Sequence, residues 1–154
     1  MAALNRAFGL TLPPEEAQYL ELYLAAYLGA EDPWGSAQEM ELRNLEAALI
    51  REMEKALHTD LSGYTSLRDD LYCHLRPMLL RVEQNIRTEN PQLDTIRTAY
   101  PGLWKATRAA CDAVQQQFVL PAISDDEAAY LAMHFGAVLE QNAMFRLRLR
   151  VVVA

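Results

Sequence analysis

Apolar residues return at three- and four-residue steps along almost the whole chain, a spacing that predicts helices rather than strands. Between Pro13 and Leu28 the recurring positions are Ala17, Leu20, Leu24 and Leu28, with Glu15 and Glu16 in the first turn, where negative charge suits the helix dipole. Pro13 and Pro14 fit that start, because the first amides of a helix have no intrahelical partner. The run Gly29-Ala-Glu-Asp-Pro-Trp-Gly35 breaks the pattern and marks a candidate boundary. Ser36, with Glu39 three residues on, offers a capping box for a second helix to about His58, its stripe being Leu42, Leu45, Leu49, Met53 and Leu57. Thr59 to Gly63 reads as a turn. A third helix is expected from about Ser66 to Ile86, bent or loosened at Pro77, which lacks an amide hydrogen. Asn90-Pro91 opens a short helix to Tyr100, Pro101-Gly102 restarts the chain to about Phe118, and Pro121 interrupts it. Ser124-Asp-Asp-Glu127 is a capping signature for a last helix to about Gln141. Only Arg146 to Ala154 differs: Leu147, Leu149, Val151, Val152 and Val153 interleaved with arginines resemble the start of a strand.

A weak internal repeat organises these elements. The segment from Phe8 through Glu16, Tyr19 and Tyr23 parallels that from Phe118 through Glu127, Tyr130 and His134, with one extra residue before the second acidic cap. Two closing helices with only one full set of helices before them imply a cut tandem. Residues 1–34 would be the end of a preceding module, 35–141 a complete one, and 142–154 a linker into something else.

Composition narrows the function. With 51% hydrophobic residues, 154 residues can bury one core. A net charge of −7, from 14 Lys+Arg against 21 Asp+Glu, opposes a direct grip on nucleic-acid phosphates. Two cysteines make no disulfide framework and fit a reducing compartment, and neither a signal core nor a membrane-length apolar run is present. The reading is a soluble, cytoplasmic protein.

Candidate chemistry is sparse. The three histidines, His58, His74 and His134, lack metal-ligand spacing, and no phosphate loop or nucleophile elbow accompanies them, so neither an enzyme nor a metal or cofactor protein is expected. Cys73 reads as a small buried thiol and His58 as a helix-end imidazole favouring the dipole. His74 shares a helix face with Asp70 and Arg81, so its tautomer can be fixed and a guanidinium could receive an anionic group. His134 flanks the stripe Ala128-Leu131-Phe135-Val138, semi-exposed, with room beside Ala137. On residues alone, both histidines read first as packed or hydrogen-bonded side chains.

Three runs then carry a resemblance: Leu71-Tyr-Cys-His74-Leu-Arg-Pro77-Met-Leu-Leu-Arg81, Asn90-Pro91 to Tyr100-Pro101, and Ser124-Asp-Asp-Glu127-Ala-Ala-Tyr130-Leu-Ala-Met-His134. In order and spacing they resemble the PTS regulation domain, the helical module of bacterial antiterminators and mannitol-type transcriptional activators. The resemblance implies an all-α five-helix bundle, preceded here by one helix of an upstream copy and followed by the first strand of a IIB-like domain. It implies that His74 and His134 are phosphoacceptors, with HPr or a sugar-specific enzyme II component as donor, and that phosphorylation tunes homodimerisation. Arg81 is the candidate to stabilise the phosphate. DNA or RNA would be reached only through other domains of such a regulator. Tyr23 departs from the pattern, since it stands at the histidine position of the first copy and cannot form a phosphohistidine. The competing expectations are a helical interaction module without phosphorylation, and a small metal or catalytic protein built on the same histidines.

Overall fold

The computed structural model describes residues 36–140, and these form five helices with no strand among them. In chain order they are α1 Ser36–Leu57, α2 Thr65–Glu83, α3 Leu93–Ala99, α4 Pro101–Gln117 and α5 Asp125–Leu139. The expected helix at 13–28, the boundary at 29–35, the repeat position Tyr23 and the strand at 146–154 lie outside the described residues, as does the side chain of Ser36.

Each helix turns one apolar stripe inward, as a period of 3.6 residues requires. On α1 the stripe is Leu42, Leu45, Leu49, Met53 and Leu57; on α2 it is Leu67, Leu71, Leu75, Met78 and Val82. On α4 it runs through Leu103, Ala106, Ala110 and Val114, and on α5 through Ala128, Leu131, Phe135 and Val138. All of these belong to a single core. Helix α1 packs most extensively on α4, while α5 lies against both α4 and α2. Gly136 is where α5 comes close to α4: a Cβ there would stand 3.1 Å from Leu103 Cδ2. Ion pairs fix the periphery. Buried Glu46 of α1 accepts from Arg43 at 3.0 Å and from Arg68 of α2 at 3.1 Å. Arg97 of α3 and Arg108 of α4 both reach Asp125 at the start of α5.

Helix ends are set by local geometry, and at the end of α2 and the start of α3 they depart from the expected boundaries. Helix α2 runs through buried Pro77 and stops at Glu83, short of Ile86. Asn85 adopts φ 53° and the Ile86 amide donates to the Arg81 carbonyl at 2.8 Å, a six-residue closure that ends the helix. His58 takes the same left-handed position after α1, φ 51°, with Thr59 N donating to Glu54 O at 3.2 Å. His58 thus follows the last residue of α1, as the sequence suggested, and backbone geometry closes the helix there. Val119 closes α4 in the same way, φ 53°, with Leu120 N donating to Gln115 O at 2.9 Å. Helix α3 begins at Leu93, later than Asn90-Pro91, because Asn90 folds its own turn: its Oδ1 accepts from Gln92 N at 2.8 Å and its carbonyl from Leu93 N at 3.1 Å.

Phe135 is the largest fully buried side chain and lies on the helix that touches both α2 and α4. Phe135→Ala is expected to cost about 3–5 kcal/mol through lost transfer energy and a residual cavity. Urea unfolding followed by circular dichroism checks this, with a lower midpoint and an unchanged slope as the expected result.

Candidate functional site

Helix α2 places His74 immediately before buried Leu75, and α5 places His134 immediately before buried Phe135. A neighbour on a helix is turned by about 100°, so each imidazole stands on the flank of its stripe. The two stripes meet in the core, and the two flanks therefore face one another. The imidazole centroids are 4.8 Å apart with the rings inclined at 50°. Tyr130, one turn before His134, lies 6.0 Å from the His74 ring.

A buried ion pair sets this register. Arg81 lies seven residues after His74 on α2, and Glu127 lies seven residues before His134 on α5. Seven residues are about two turns, or roughly 10.5 Å along each axis. Arg81 Nε donates to Glu127 Oε1 at 2.5 Å and Arg81 Nη2 donates to Oε2 at 2.8 Å, with the two residues only 7% and 3% exposed. The antiparallel pairing that joins 81 to 127 thereby puts 74 opposite 134. A charge-assisted fork of this kind has little angular freedom, so it orients as well as attracts.

The sequence suggested Arg81 as the group that receives a phosphate. In the structure two of its donors are engaged by Glu127, because a guanidinium this deep in the fold needs a carboxylate beside it. Glu127 was expected to complete a capping box. Only half of the box forms: Ser124 Oγ accepts from Glu127 N at 3.2 Å, while the carboxylate turns to Arg81. Glu127 is thus the site residue that sequence reasoning placed in the wrong role; the equal seven-residue offsets were the available signal.

The α2–α3 connection is held down beside the pair. Tyr130 donates its hydroxyl to the Glu89 carbonyl at 2.8 Å, Asp126 Oδ1 accepts from Asn90 N at 2.8 Å, and Asn90 Nδ2 lies 3.5 Å from Met133 Sδ. Residues 126, 130 and 133 share one face of α5, so the loop is anchored along that face.

Both histidines are half-buried and held neutral. Burial, then the nearby His134 and Arg81, push the His74 imidazole down to about 3. Burial also lowers His134, with Asp70 opposing the shift. The Nε2 atom of His74 is buried and makes no hydrogen bond. Cys73 is exposed, contrary to the buried thiol expected, because position 73 lies off the Leu71–Leu75 stripe; Cys111 is the buried one, its thiol pushed up to about 12 by burial. Among the described residues no three His, Cys, Asp or Glu side chains gather as a metal site, and no helix is long and apolar enough to cross a membrane.

Comparison with known proteins agrees with this architecture. Residues 47–138 match the PRD domain. The chain is 30% identical over 143 residues to the transcriptional regulator ManR of Bacillus subtilis, covering 90% of the chain and 22% of that protein. It is 26% identical over 148 residues to the probable licABCH operon regulator of the same organism, again covering 90% of the chain and 22% of the relative. The stationary phase-inducible protein CsiE of Escherichia coli is 29% identical over 133 residues, with 85% of the chain and 31% of that protein covered. The chain thus spans between a fifth and a third of the length of these relatives. No solved structure matches it.

Two outcomes are expected. Glu127→Ala leaves the Arg81 charge buried without its carboxylate and should cost about 3–5 kcal/mol, whereas Arg81→Met with Glu127→Leu should recover much of that loss; denaturant midpoints of the three proteins decide. The second concerns pH. His74 has a lowered pKa in the folded state, so between about 6.5 and about 3 the unfolded chain binds the extra proton. Stability is therefore unaffected by this group above about 6.5 and falls as pH drops below it, by up to about 1.4 kcal/mol per pH unit. His74→Asn should flatten the fall in unfolding midpoints measured from pH 7 to pH 5.

Proposed function

The chain belongs to the PRD domain family, a regulatory module of transcription regulators linked to the sugar phosphotransferase system, and on that premise we propose that it is a phosphorylation-responsive switch whose acceptors are His74 and His134. The observation that carries this reading is the facing of the two imidazoles, both kept neutral, at 4.8 Å on the flank of the core. Only a neutral imidazole has the lone pair that attacks phosphorus, so burial that lowers the pKa keeps these rings reactive throughout the cellular pH range. The acceptor needs no catalytic machinery of its own. A phosphorylated HPr or enzyme II component carries a labile phosphoryl bond that breaks as the histidine N–P bond forms, and the ring proton leaves to solvent. The role is regulatory rather than enzymatic, and it needs no cofactor.

Each phosphoryl group brings about −1.5 to −2 charges, by analogy with phosphoserine. On a chain already at −7, and beside a register held by the Arg81–Glu127 fork, such a charge must be met by a cation or relieved by movement of α5 against α2. In this reading the movement alters how two copies of the chain pair, and the pairing controls sugar-uptake genes through DNA- or RNA-binding parts of the regulator. Residues 35–141 form the complete switch module, with 1–34 belonging to an upstream copy and 142–154 leading into a IIB-like domain.

Incubating the chain with radiolabelled phospho-HPr, and separately with a phosphorylated enzyme II B domain, tests this directly. Label is expected on the wild type from at least one donor. His74→Ala and His134→Ala together should abolish it while His58→Ala leaves it intact. Absence of label from both donors would favour the interaction module that works without phosphorylation.

A further inference from the structure

Among the described residues the large apolar side chains left exposed are Met40, Val119 and Met133, and only Met133 is next in sequence to a candidate acceptor. It precedes His134 on α5 and is 43% exposed. Its Sδ lies 3.5 Å from Nδ2 of Asn90, a buried residue whose Oδ1 accepts from Gln92 N and whose amide donates to Asp126. The Asn90-Pro91 turn thus holds an exposed thioether in place. That contact contributes little to the fold, since a thioether is a weak acceptor. Resting on the phosphoacceptor reading above, we propose that Met133 and Ala137, with the Asn90 turn behind them, form the docking face for the phosphodonor. The donor that fits this face is a phosphoprotein with apolar side chains around its phosphorylated residue.

Geometry gives the first reason. At about 100° per residue, positions 133 and 134 fall on opposite sides of position 137, roughly 40° and 60° from it. Ala137 is exposed and His134 half-buried, while Ala128, Leu131 and Phe135 face the core. A partner that reaches the His134 ring from solvent therefore lies over Ala137 and meets Met133 beyond it. A stable protein contact covers about 800 Å² per partner, a patch roughly 16 Å in radius, whereas adjacent Cα atoms are about 3.8 Å apart. With the imidazole centroids 4.8 Å apart, one such patch spans both acceptors and Met133, whichever ring is attacked.

Charge gives the second. The chain carries −7, and exposed Asp69 and Asp70 precede His74 by about one turn. The donor's phosphoryl group brings about −1.5 to −2 more, by analogy with phosphoserine, so Coulomb attraction is a poor source of the encounter. The guanidiniums of α2 are engaged in other directions. Arg68 donates to Glu46 of α1 at 3.1 Å, and two donors of Arg81 go to Glu127. Arg76 stands about 200° round the helix from His74 and acts on Tyr72. Apolar contact is then the available source of affinity. A methionine suits it, because a thioether adapts its shape, and its restraint by Asn90 lowers the cost of ordering it on binding.

The initial rate of labelling of the full chain, measured against chain concentration with phospho-HPr and with a phosphorylated enzyme II B domain, tests the face. For the donor that labels the wild type, Met133→Glu should raise the half-saturating concentration about tenfold and Met133→Ala about three- to tenfold, with the limiting rate little changed. Met133→Leu, still apolar and similar in volume, should stay within about twofold. Val119→Asn, which removes an exposed apolar side chain at a φ of 53° that asparagine tolerates, should match the wild type. Potassium phosphoramidate, which phosphorylates histidines without a docking protein, should label the wild type and Met133→Glu at equal rates. Labelling by the protein donor should not fall as salt is raised. An unchanged half-saturation in Met133→Glu, an equal rise in Val119→Asn, a matching loss with phosphoramidate or a steep decline with salt would each overturn the docking face while leaving the acceptors in place. No label from either donor would sink the acceptor reading and this inference with it.

Discussion

The buried fork between Arg81 and Glu127 is the constraint on which the rest of this structure depends. Apolar contacts between α2 and α5 drive the two helices together, but they have no direction and tolerate sliding along the helix axis. A guanidinium and a carboxylate removed from water tolerate neither sliding nor rotation, since a shift of one turn leaves both charges buried and unpaired. Two turns away along the same faces, that fixed register sets His74 opposite His134. A stability argument alone would not require an ion pair here, because well-packed apolar side chains often serve as well. Its value lies in specifying one alignment of two helices.

From that alignment the electrostatics follow. Two imidazoles packed together beside a guanidinium are poor places for added positive charge, and desolvation acts in the same direction. The site therefore keeps its rings neutral while leaving them at the margin of the fold. The anchored α2–α3 connection completes the arrangement: Asp126, Tyr130 and Met133 hold the backbone around residues 89–90 along the α5 face beside His134. Near the pair, Arg81 is engaged by Glu127 and the neighbouring loop is hydrogen-bonded in place.

Much of the architecture was legible in the chain. The 3.6-residue spacing of leucines gave α1, α2 and α4 nearly to their ends, because burying a stripe is a local consequence of helical geometry. The Ser124 cap was equally plain, since a hydroxyl before a run of acidic residues satisfies amides that every helix start exposes. The end of α2 went astray because Asn85 takes the left-handed conformation without being glycine, and the helix stops three residues short of the apolar Ile86. Cys73 was misplaced because free cysteine is usually buried, and only its offset from the Leu71–Leu75 stripe argues otherwise.

The sequence by itself determined that this is a helical chain of acidic character, with two histidine-bearing motifs on separate helices and a family resemblance that pointed to both. Tertiary structure alone decided that the two histidines share one place, that Arg81 is held by Glu127, and that Glu127 abandons half of its capping role to do so. The reason is physical. Period and capping are properties of consecutive residues, whereas the partner of a buried charge 46 positions away is chosen only when two helices have found their register.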